Sequence, residues 1–286
     1  MKSGFVVLAG RPNVGKSTLV NALCGSKVAI VSDKPQTTRR RVLGVVSGDG
    51  YELVLVDLPG FQRPRDALTE RMQRTVVRSV GDADAVCLVL AGNERIGAGD
   101  RAAAERAFAA GVPVVIVVNK VDVLSPAEIA AQITKVAGLG DFHALHPVSA
   151  KTGDGIEELC RELVALLPEG PAQFSPDETT DQPLDLRIAE LVREKALALT
   201  REEIPHSLAV DIEELTADRV EAVVLVETPS QKRILIGKGG SMIKEIGVRA
   251  RPEIELLLGR PVFLDLRVKV KDKWRRNEAF LERLGI

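Results

Sequence analysis

The feature that most constrains this chain is one eight-residue stretch, GRPNVGKS, which occupies residues 10–17. It follows the apolar run 5–9 and precedes a segment, 18–23, with the spacing of a helix. Two glycines separated by four residues and followed by Lys and Ser form the phosphate-binding loop pattern, in which backbone N–H groups and a helix N-terminus face one anion. In this pattern Lys16 reaches the β- and γ-phosphates, and the Ser17 hydroxyl ligates Mg²⁺. The stretch therefore predicts a nucleoside-triphosphate site.

A second motif, VDLPG at residues 56–60, closes the alternating apolar run 51–56. Asp57 ends a predicted strand, where an open α/β sheet places a second Mg²⁺ ligand, usually through a water, and the Gly60 N–H meets the γ-phosphate. Taken alone, Asp57 is better explained as an ordinary turn residue. The order of the motifs along the chain favours the nucleotide site.

Two further motifs select the base. NKVD at residues 119–122 follows a buried-strand run, and SAK at residues 149–151 follows another short run. The Asp122 carboxylate can accept hydrogen bonds from both the N1–H and the exocyclic amine of guanine, whereas adenine offers neither donor. Backbone groups of SAK can contact the guanine from its other side. The sequence therefore predicts that the nucleotide is GTP.

Four motifs in this order resemble a translation-factor-type guanine-nucleotide-binding domain. The resemblance and the spacing together give these predicted nucleotide contacts: Gly10, Arg11, Pro12, Asn13, Val14, Gly15, Lys16, Ser17, Thr18, Asp57, Leu58, Pro59, Gly60, Phe61, Asn119, Lys120, Val121, Asp122, Ser149, Ala150 and Lys151.

The Mg²⁺ shell is predicted to contain Ser17, Thr38 and a water held by Asp57. Thr38 lies on the segment 35–41, PQTTRRR, which is expected to become ordered only when γ-phosphate is present. Thr37 is the neighbouring alternative. The three arginines that end this segment could donate charge or bind RNA, but exposed, solvated side chains are the simpler interpretation.

Hydrolysis is expected to be slow, because Phe61 stands where some GTPases carry the glutamine that orients the attacking water. In related GTPases an Asn at the position of Asn13 ligates a K⁺ ion that supplies positive charge to the transition state. A surface or packing role for Asn13 stays open. The residues predicted to act in hydrolysis are Lys16, Asn13, Thr38 and Gly60.

Composition is that of a cytoplasmic enzyme with two domains: 286 residues, 45% of them hydrophobic, with no visible signal peptide or spanning helix. The three cysteines, Cys24, Cys87 and Cys160, are far apart in apolar patterns and are expected in the core rather than in disulfides or a zinc site. Residues 228–286 carry 14 Lys or Arg against 7 Asp or Glu, whereas residues 1–227 carry 25 against 33. A basic module thus follows an acidic body, although a solvated basic face would look the same.

The pattern of elements predicts a doubly wound α/β domain over residues 1–168, a Pro-rich linker over 169–183 and a smaller α+β domain over 184–286. In the last domain the predicted order is helix, two strands, short helix, GKGG, helix and strand. Pro252 falls inside the second long helix, so a kink or break is expected near Arg251.

This order, with GKGG at residues 237–240, resembles a KH domain of the type II form common in bacteria. KH domains use a GXXG loop between two helices to clamp the backbone of about four nucleotides of single-stranded RNA. A tight turn is the alternative, and a second phosphate loop is disfavoured because no Gly-Lys-Ser/Thr follows. The predicted RNA contacts are Ile236, Gly237, Lys238, Gly239, Gly240, Ile243 and Lys244.

One GTPase domain followed by one KH domain, with QTTR in the switch segment and VKVK near the end, resembles the Era family of bacterial GTPases over essentially the whole chain. The resemblance implies Mg²⁺ and, through Asn13, K⁺. It also implies binding of the single-stranded 3′ end of small-subunit ribosomal RNA, a role in small-subunit assembly and a monomer. It allows weak peripheral contact with the inner face of the cell membrane, although no long amphipathic basic helix in the sequence demands it. An RNA-binding adaptor with a relic GTPase fold is the alternative. Intact Lys16, Ser17, Asp57 and Asp122 favour a working GTPase switch.

Overall fold

The computed structural model describes residues 1–34, 36–61, 64–201 and 204–286. Contacts within the chain divide it into two compact units. The first unit comprises Met1–Ala29, Thr38–Arg65 and Thr69–Asp181, and the second comprises Ile30–Thr37, Asp66–Leu68 and Gln182–Ile286. The predicted switch segment is therefore divided between the units, and its Pro35 lies outside the described residues.

The first unit is built from six strands and five helices within the described residues. The strands are β1 (Lys2–Ala9), β2 (Val42–Gly48), β3 (Tyr51–Asp57), β4 (Ala85–Ala91), β5 (Val114–Asn119) and β6 (Ala144–Pro147). The helices are α1 (Lys16–Cys24), α2 (Ala67–Gly81), α3 (Ala98–Phe108), α4 (Pro126–Val136) and α5 (Ile156–Leu166).

These strands form one sheet in the order β2-β3-β1-β4-β5-β6, in which all pairs are parallel except β2 with β3. Every residue of β4 and β5 is buried, because helices cover both faces of the sheet. This is the doubly wound α/β architecture that the sequence predicted. The carboxyl ends of β1, β3, β5 and β6 lie at the same edge of the sheet, so the four nucleotide motifs emerge side by side.

The stretch predicted as a linker is bonded to the first unit over much of its length. The backbone N–H groups of Gln173 and Phe174 donate to the buried carboxylate of Glu52 at 2.8 and 3.0 Å. Further along, the Val45 N–H donates to the Thr179 carbonyl at 2.9 Å. Proline-rich, polar composition excludes regular secondary structure, but it does not exclude tertiary hydrogen bonds from an irregular backbone.

The second unit contains a three-stranded sheet in the order β7-β8-β9, with β7 antiparallel and β9 parallel to the central strand. Its strands are β7 (Ala209–Leu215), β8 (Arg219–Val226) and β9 (Phe263–Val270), and its helices are α6 (Leu184–Leu199), α7 (Ile204–Ser207), α8 (Pro229–Ile236), α9 (Ser241–Leu258) and α10 (Glu278–Arg283). The order α6-β7-β8-α8-α9-β9 follows the predicted order, and α7 and α10 are additional. One apolar core joins α6 and α9 to the sheet.

Of the kink or break expected near Arg251, the break does not occur, because helix α9 continues through Pro252 from Ser241 to Leu258. A proline inside a helix leaves the carbonyl four residues earlier without its N–H partner. Here that carbonyl belongs to Val248, whose side chain is 55% exposed. Water can therefore satisfy the carbonyl, and the apolar face of α9 keeps its packing on the core.

Candidate functional site

The phosphate loop joins the end of β1 to the start of α1 through backbone conformations that only glycine adopts easily. Gly10 has φ 147° and Gly15 has φ 99°. A Cβ atom at Gly10 would lie 2.4 Å from the Val89 carbonyl oxygen, and one at Gly15 would lie 2.2 Å from the Asn119 amide nitrogen. The two glycines are therefore required by their neighbours as well as by their φ angles, and they deliver the backbone to the N-terminus of α1.

Lys16 is the buried cation of this loop, with only 6% of its surface exposed. Its Nζ donates to the carbonyl oxygens of Gly10 at 3.1 Å and Arg11 at 2.9 Å. Burial lowers the pKa of Lys16 to about 8, although the neighbouring Asp57 acts in the opposite direction. Two carbonyl groups thus hold the ammonium group inside the curve of the loop, where an anion would compensate its desolvation.

Three oxygen-bearing side chains meet beside this lysine. The Ser17 hydroxyl donates to Asp57 Oδ2 at 2.6 Å and lies 2.9 Å from the Thr38 hydroxyl, which in turn lies 3.3 Å from the same carboxylate oxygen. Burial raises the pKa of Asp57, and Lys16 and both hydroxyls partly oppose this effect. Asp57 Oδ1 is buried without a hydrogen-bond partner among the described residues. A hard cation that prefers oxygen ligands fits this set.

The structure places Thr38, and not Thr37, beside the phosphate loop. The Thr37 hydroxyl donates instead to the Lys34 carbonyl oxygen at 2.6 Å. The interpretation of the following arginines as exposed is wrong for Arg39, which is 3% exposed. Arg41 is exposed and lies 4.0 Å from Asp181.

The base-selecting loops are held together by side chains at the ends of β5 and β6. Asn119 is buried; its amide nitrogen donates to the Val14 carbonyl at 2.9 Å and its oxygen accepts from the Ala150 N–H at 3.0 Å. The Ser149 hydroxyl donates to Asp122 Oδ1 at 2.8 Å. NKVD, SAK and the phosphate loop therefore meet at one place, as their strand-end positions predicted.

The loop after β3 comes close to the phosphate loop. A Cβ atom at Gly60 would lie 2.6 Å from the Pro12 nitrogen, so this contact requires glycine. The Phe61 side chain packs on the apolar core, with the Arg106 guanidinium 4.9 Å from the centre of its ring. It cannot orient a water. The other predicted nucleotide contacts lie on these same four segments: Asn13, Thr18, Leu58, Pro59, Lys120, Val121 and Lys151.

Two acidic residues near the site were absent from the sequence prediction. Arg11 Nε lies 2.6 Å from Asp100 Oδ1, and Arg11 Nη2 lies 2.9 Å from Glu94 Oε2. A local signal existed for Asp100, because an acid at the third position of α3, after Gly97, is typical of a helix start. No local signal connects either acid to a loop more than 80 residues earlier in the chain.

In the second unit the GKGG loop joins α8 to α9 through one turn of 3₁₀ helix, Lys238–Gly240. Gly239 and Gly240 have positive φ angles of 59° and 83°, and a Cβ atom at either position would meet nothing within 4 Å. Lys238 is exposed, as is Lys244 on the first turns of α9. The backbone here is open to an incoming chain, whereas Ile236 and Ile243 pack partly on the core.

Comparison with known proteins decides the family. Residues 5–120 match the family described as 50S ribosome-binding GTPase, and residues 203–275 match the KH domain family. GTPase Era of Mycobacterium avium (strain 104) is 46% identical over 294 residues, which cover 99% of this chain and 98% of that protein. GTPase Era of Mycobacterium tuberculosis (strain ATCC 25177 / H37Ra) is 45% identical with the same coverage. The chain belongs to the Era GTPase family.

Two solved Era structures share its fold over the whole chain. A crystal structure of Era in complex with MgGDPNP and nucleotides 1506–1542 of 16S ribosomal RNA has a TM-score of 0.94 and 39% identity, covering 100% of this chain and 99% of that one. A variant of Aquifex aeolicus Era bound to GDP and AlF4⁻ has a TM-score of 0.96, with the same identity and coverage. The chain is therefore a GTPase with a phosphate-loop α/β domain followed by a KH domain, and the predicted fold and activity are confirmed.

Across the described part of the chain, no group of three or more His, Cys, Asp or Glu side chains is arranged to hold a metal ion. Cys87 is buried, and Cys24 and Cys160 are partly buried. Within the same residues, no helix is long and apolar enough to cross a membrane.

Proposed function

We propose that this protein is a GTP-driven switch that binds the single-stranded 3′ end of small-subunit ribosomal RNA and acts in assembly of the small ribosomal subunit. The observation that carries the proposal is the meeting of Thr38 with Ser17 and Asp57. Through this contact the Thr38 hydroxyl of the switch segment is hydrogen-bonded to Ser17 at the end of the phosphate loop. A ligand that these groups share would bias the conformation of that segment.

The nucleotide half of the proposal assigns a role to each group. Ser17 and Thr38 would hold Mg²⁺ directly and Asp57 through a water, and the bound ion would neutralise charge on the β- and γ-phosphates. Lys16 would place its buried charge on the same phosphates, and the Gly60 N–H would donate to the γ-phosphate. A crystal structure of a 39% identical relative contains MgGDPNP, which supports the choice of metal.

Phe61 limits the rate of hydrolysis, and Asp122 selects the base of the nucleotide. Phe61 leaves the attacking water without a side chain to orient it, so K⁺ held by Asn13 would supply the missing positive charge. The hydrogen bond from Ser149 fixes the Asp122 carboxylate, which would accept both guanine donors. We therefore assign slow, K⁺-dependent hydrolysis and selection of guanine over adenine.

The RNA half rests on the open GKGG backbone and on a relative crystallised with a 16S ribosomal RNA fragment. The RNA backbone would approach Gly239 and Gly240, with Lys238 and Lys244 as phosphate partners and Ile236, Gly237 and Ile243 beside the bases. The protein would bind the precursor of the small ribosomal subunit as a monomer in the cytoplasm.

Two matched glycines test the RNA half. Gly239 and Gly259 both have positive φ, 59° and 67°, and open space where a side chain would go. Gly239 lies two residues before α9 and Gly259 directly after it, and the 18 residues of the helix between them are about 27 Å long. Gly239→Asp and Gly259→Asp thus impose the same charge and similar backbone strain at opposite ends of one helix.

We expect Gly239→Asp to weaken binding of a 3′-terminal ribosomal RNA oligonucleotide more than tenfold, and Gly259→Asp to leave it within about twofold. Fluorescence anisotropy measures both affinities, and circular dichroism shows that both variants fold. If the two variants bind the oligonucleotide equally well, the GKGG loop is not the RNA contact.

A further inference from the structure

The phosphate loop contains an arginine whose side chain is engaged by carboxylates of its own domain. Arg11 Nε lies 2.6 Å from Asp100 and Arg11 Nη2 lies 2.9 Å from Glu94. Burial by itself lowers the pKa of Arg11, but the hydrogen bonds to both carboxylates raise it above its ordinary value. The guanidinium is thus fully charged and has two counter-ions.

Asp100 is an unusual partner for a surface loop, because its side chain is 3% exposed. Its second carboxylate oxygen accepts a hydrogen bond from the Gly97 N–H at 2.9 Å, at the start of α3. Both oxygens of a buried charge are therefore in use, one on the helix terminus and one on Arg11. A bond to a buried charge is stronger and more costly to break than one at the surface.

The chain makes room for this arginine. A Cβ atom at Gly99 would lie 2.6 Å from Arg11 Cδ and 3.2 Å from Cγ. Cγ and Cδ lie in the middle of the Arg11 side chain, and the two carboxylates hold its guanidinium end. The side chain therefore could not move aside without breaking a hydrogen bond to a carboxylate. The first turn of α3 and the Arg11 stem are therefore fitted to each other.

Glu94 extends this contact toward the base-selecting loop. Its second oxygen lies 3.9 Å from Lys120 Nζ, and that ammonium group donates to the Asn13 carbonyl at 2.8 Å. The Glu94 backbone carbonyl accepts from the buried Gln132 amide at 2.9 Å, which holds the residue from α4. One carboxylate thus lies between the phosphate loop and NKVD.

We propose that Arg11 is a positioning residue, which Asp100 and Glu94 hold so that the first half of the phosphate loop stays in its nucleotide-binding shape. Arg11 would act on the nucleotide through the loop backbone rather than by touching a phosphate. The inference rests on the proposed nucleotide site. Because the loop surrounds the phosphates common to GDP and GTP, loosening it should shorten the residence time of both nucleotides by the same factor.

The test uses Arg11→Met, which keeps the stem and removes the charge, and Asp100→Asn, which can still accept from Gly97. Arg161→Met is the matched control, since Arg161 also pairs with two carboxylates of the first unit, Glu157 and Glu158, but is 67% exposed. Stopped-flow fluorescence measures dissociation of labelled GDP and of a labelled non-hydrolysable GTP analogue. Thermal melts in saturating GDP identify a variant that does not fold.

We expect Arg11→Met and Asp100→Asn each to speed dissociation about tenfold, by equal factors for the two nucleotides, and the double variant to be no faster than the more affected single variant. Arg161→Met should match the parent. Equal rates for Arg11→Met and Arg161→Met would overturn the inference, as would a factor for the GTP analogue more than fivefold larger than for GDP, which would indicate direct contact with γ-phosphate. If Arg11→Met does not fold, the dissociation rates of Glu94→Gln are compared with those of Arg161→Met in its place.

Lys16→Ala separates this inference from the proposal on which it rests. If Lys16→Ala abolishes nucleotide binding while the Arg11 variants behave like the parent, only the positioning role is wrong. If Lys16→Ala binds nucleotide like the parent, the proposed site itself is wrong.

Discussion

Replacing Asn119 with Ala should disconnect the loops that form the nucleotide site. Asn119 is 2% exposed at the end of β5, and its amide bridges the Val14 carbonyl and the Ala150 N–H. Val14 belongs to the phosphate loop and Ala150 to SAK. Alanine would remove both hydrogen bonds and leave two buried backbone groups without partners.

The size of the effect follows from those two groups. Each buried backbone group left without its partner costs about 1–2 kcal/mol, which gives about 2–4 kcal/mol in total. If nucleotide binding must realign the released loops, the whole of this cost appears in affinity, which corresponds to GDP binding weakened by about 30- to 1000-fold. A smaller loss would mean that part of the cost is carried by the unliganded protein.

Glu52→Ala is the control for general destabilisation. The Glu52 carboxylate is 1% exposed and accepts three hydrogen bonds, from Ser3, Gln173 and Phe174. It lies five residues before Asp57 on β3, so it is about 16 Å from the nucleotide edge of the sheet.

Urea denaturation and titration with a fluorescent GDP measure the two quantities separately. Glu52→Ala should lower the free energy of unfolding and leave GDP binding unchanged, whereas Asn119→Ala should weaken GDP binding. The reasoning is refuted if Asn119→Ala binds GDP within threefold of the parent, or if Glu52→Ala weakens binding as much.

Three further outcomes are expected. Hydrolysis by the parent should be faster in K⁺ than in Na⁺, and Asn13→Ala should erase the difference in a phosphate-release assay; equal parental rates in the two salts would remove the K⁺ role. Asp122→Asn should weaken GTP binding and favour xanthine nucleotides, because its amide can donate to the xanthine carbonyl, and competition binding measures the preference. Burial raises the pKa of Cys24 and Cys87 to about 12, so at pH 8 iodoacetamide should modify them more than about a hundredfold slower in the folded protein than in guanidinium, as followed by mass spectrometry.

The four nucleotide motifs could be found from sequence because each encodes its own local geometry. Gly10 and Gly15 are required by positive φ angles, and Asp57 ends β3 and Asp122 follows β5, both of which are visible as apolar runs in the sequence. Parallel strands then bring their ends together without any further information. The same reasoning applies to GKGG, where two helices flank a loop whose glycines have the positive φ angles that glycine favours.

Contacts between distant parts of the chain could not be predicted in this way. The pairing of Arg11 with Asp100 joins residues 89 apart, and the hydrogen bond from Gln173 to Glu52 joins residues 121 apart. Periodicity and composition describe only neighbours in sequence, so the sequence predicted Arg11 as a nucleotide contact and 169–183 as a linker without identifying their partners. The break expected at Pro252 does not occur, and the exposure of Val248, which lets water reach the carbonyl that the proline leaves free, could not be predicted from neighbours in sequence.

Arg11 shows what a motif leaves undetermined. The pattern of glycines, lysine and serine specifies a loop whose N–H groups can face an anion, but it does not specify how long the loop stays in that shape without one. Glycine loses more conformational freedom on ordering than any other residue, and Gly10 and Gly15 both lie in this loop. Contacts outside the motif must therefore reduce that cost before the nucleotide arrives. In this chain the buried Asp100, fixed on α3 and paired with Arg11, is placed to do so. The affinity of the site thus depends on a helix that contributes no residue to the motif.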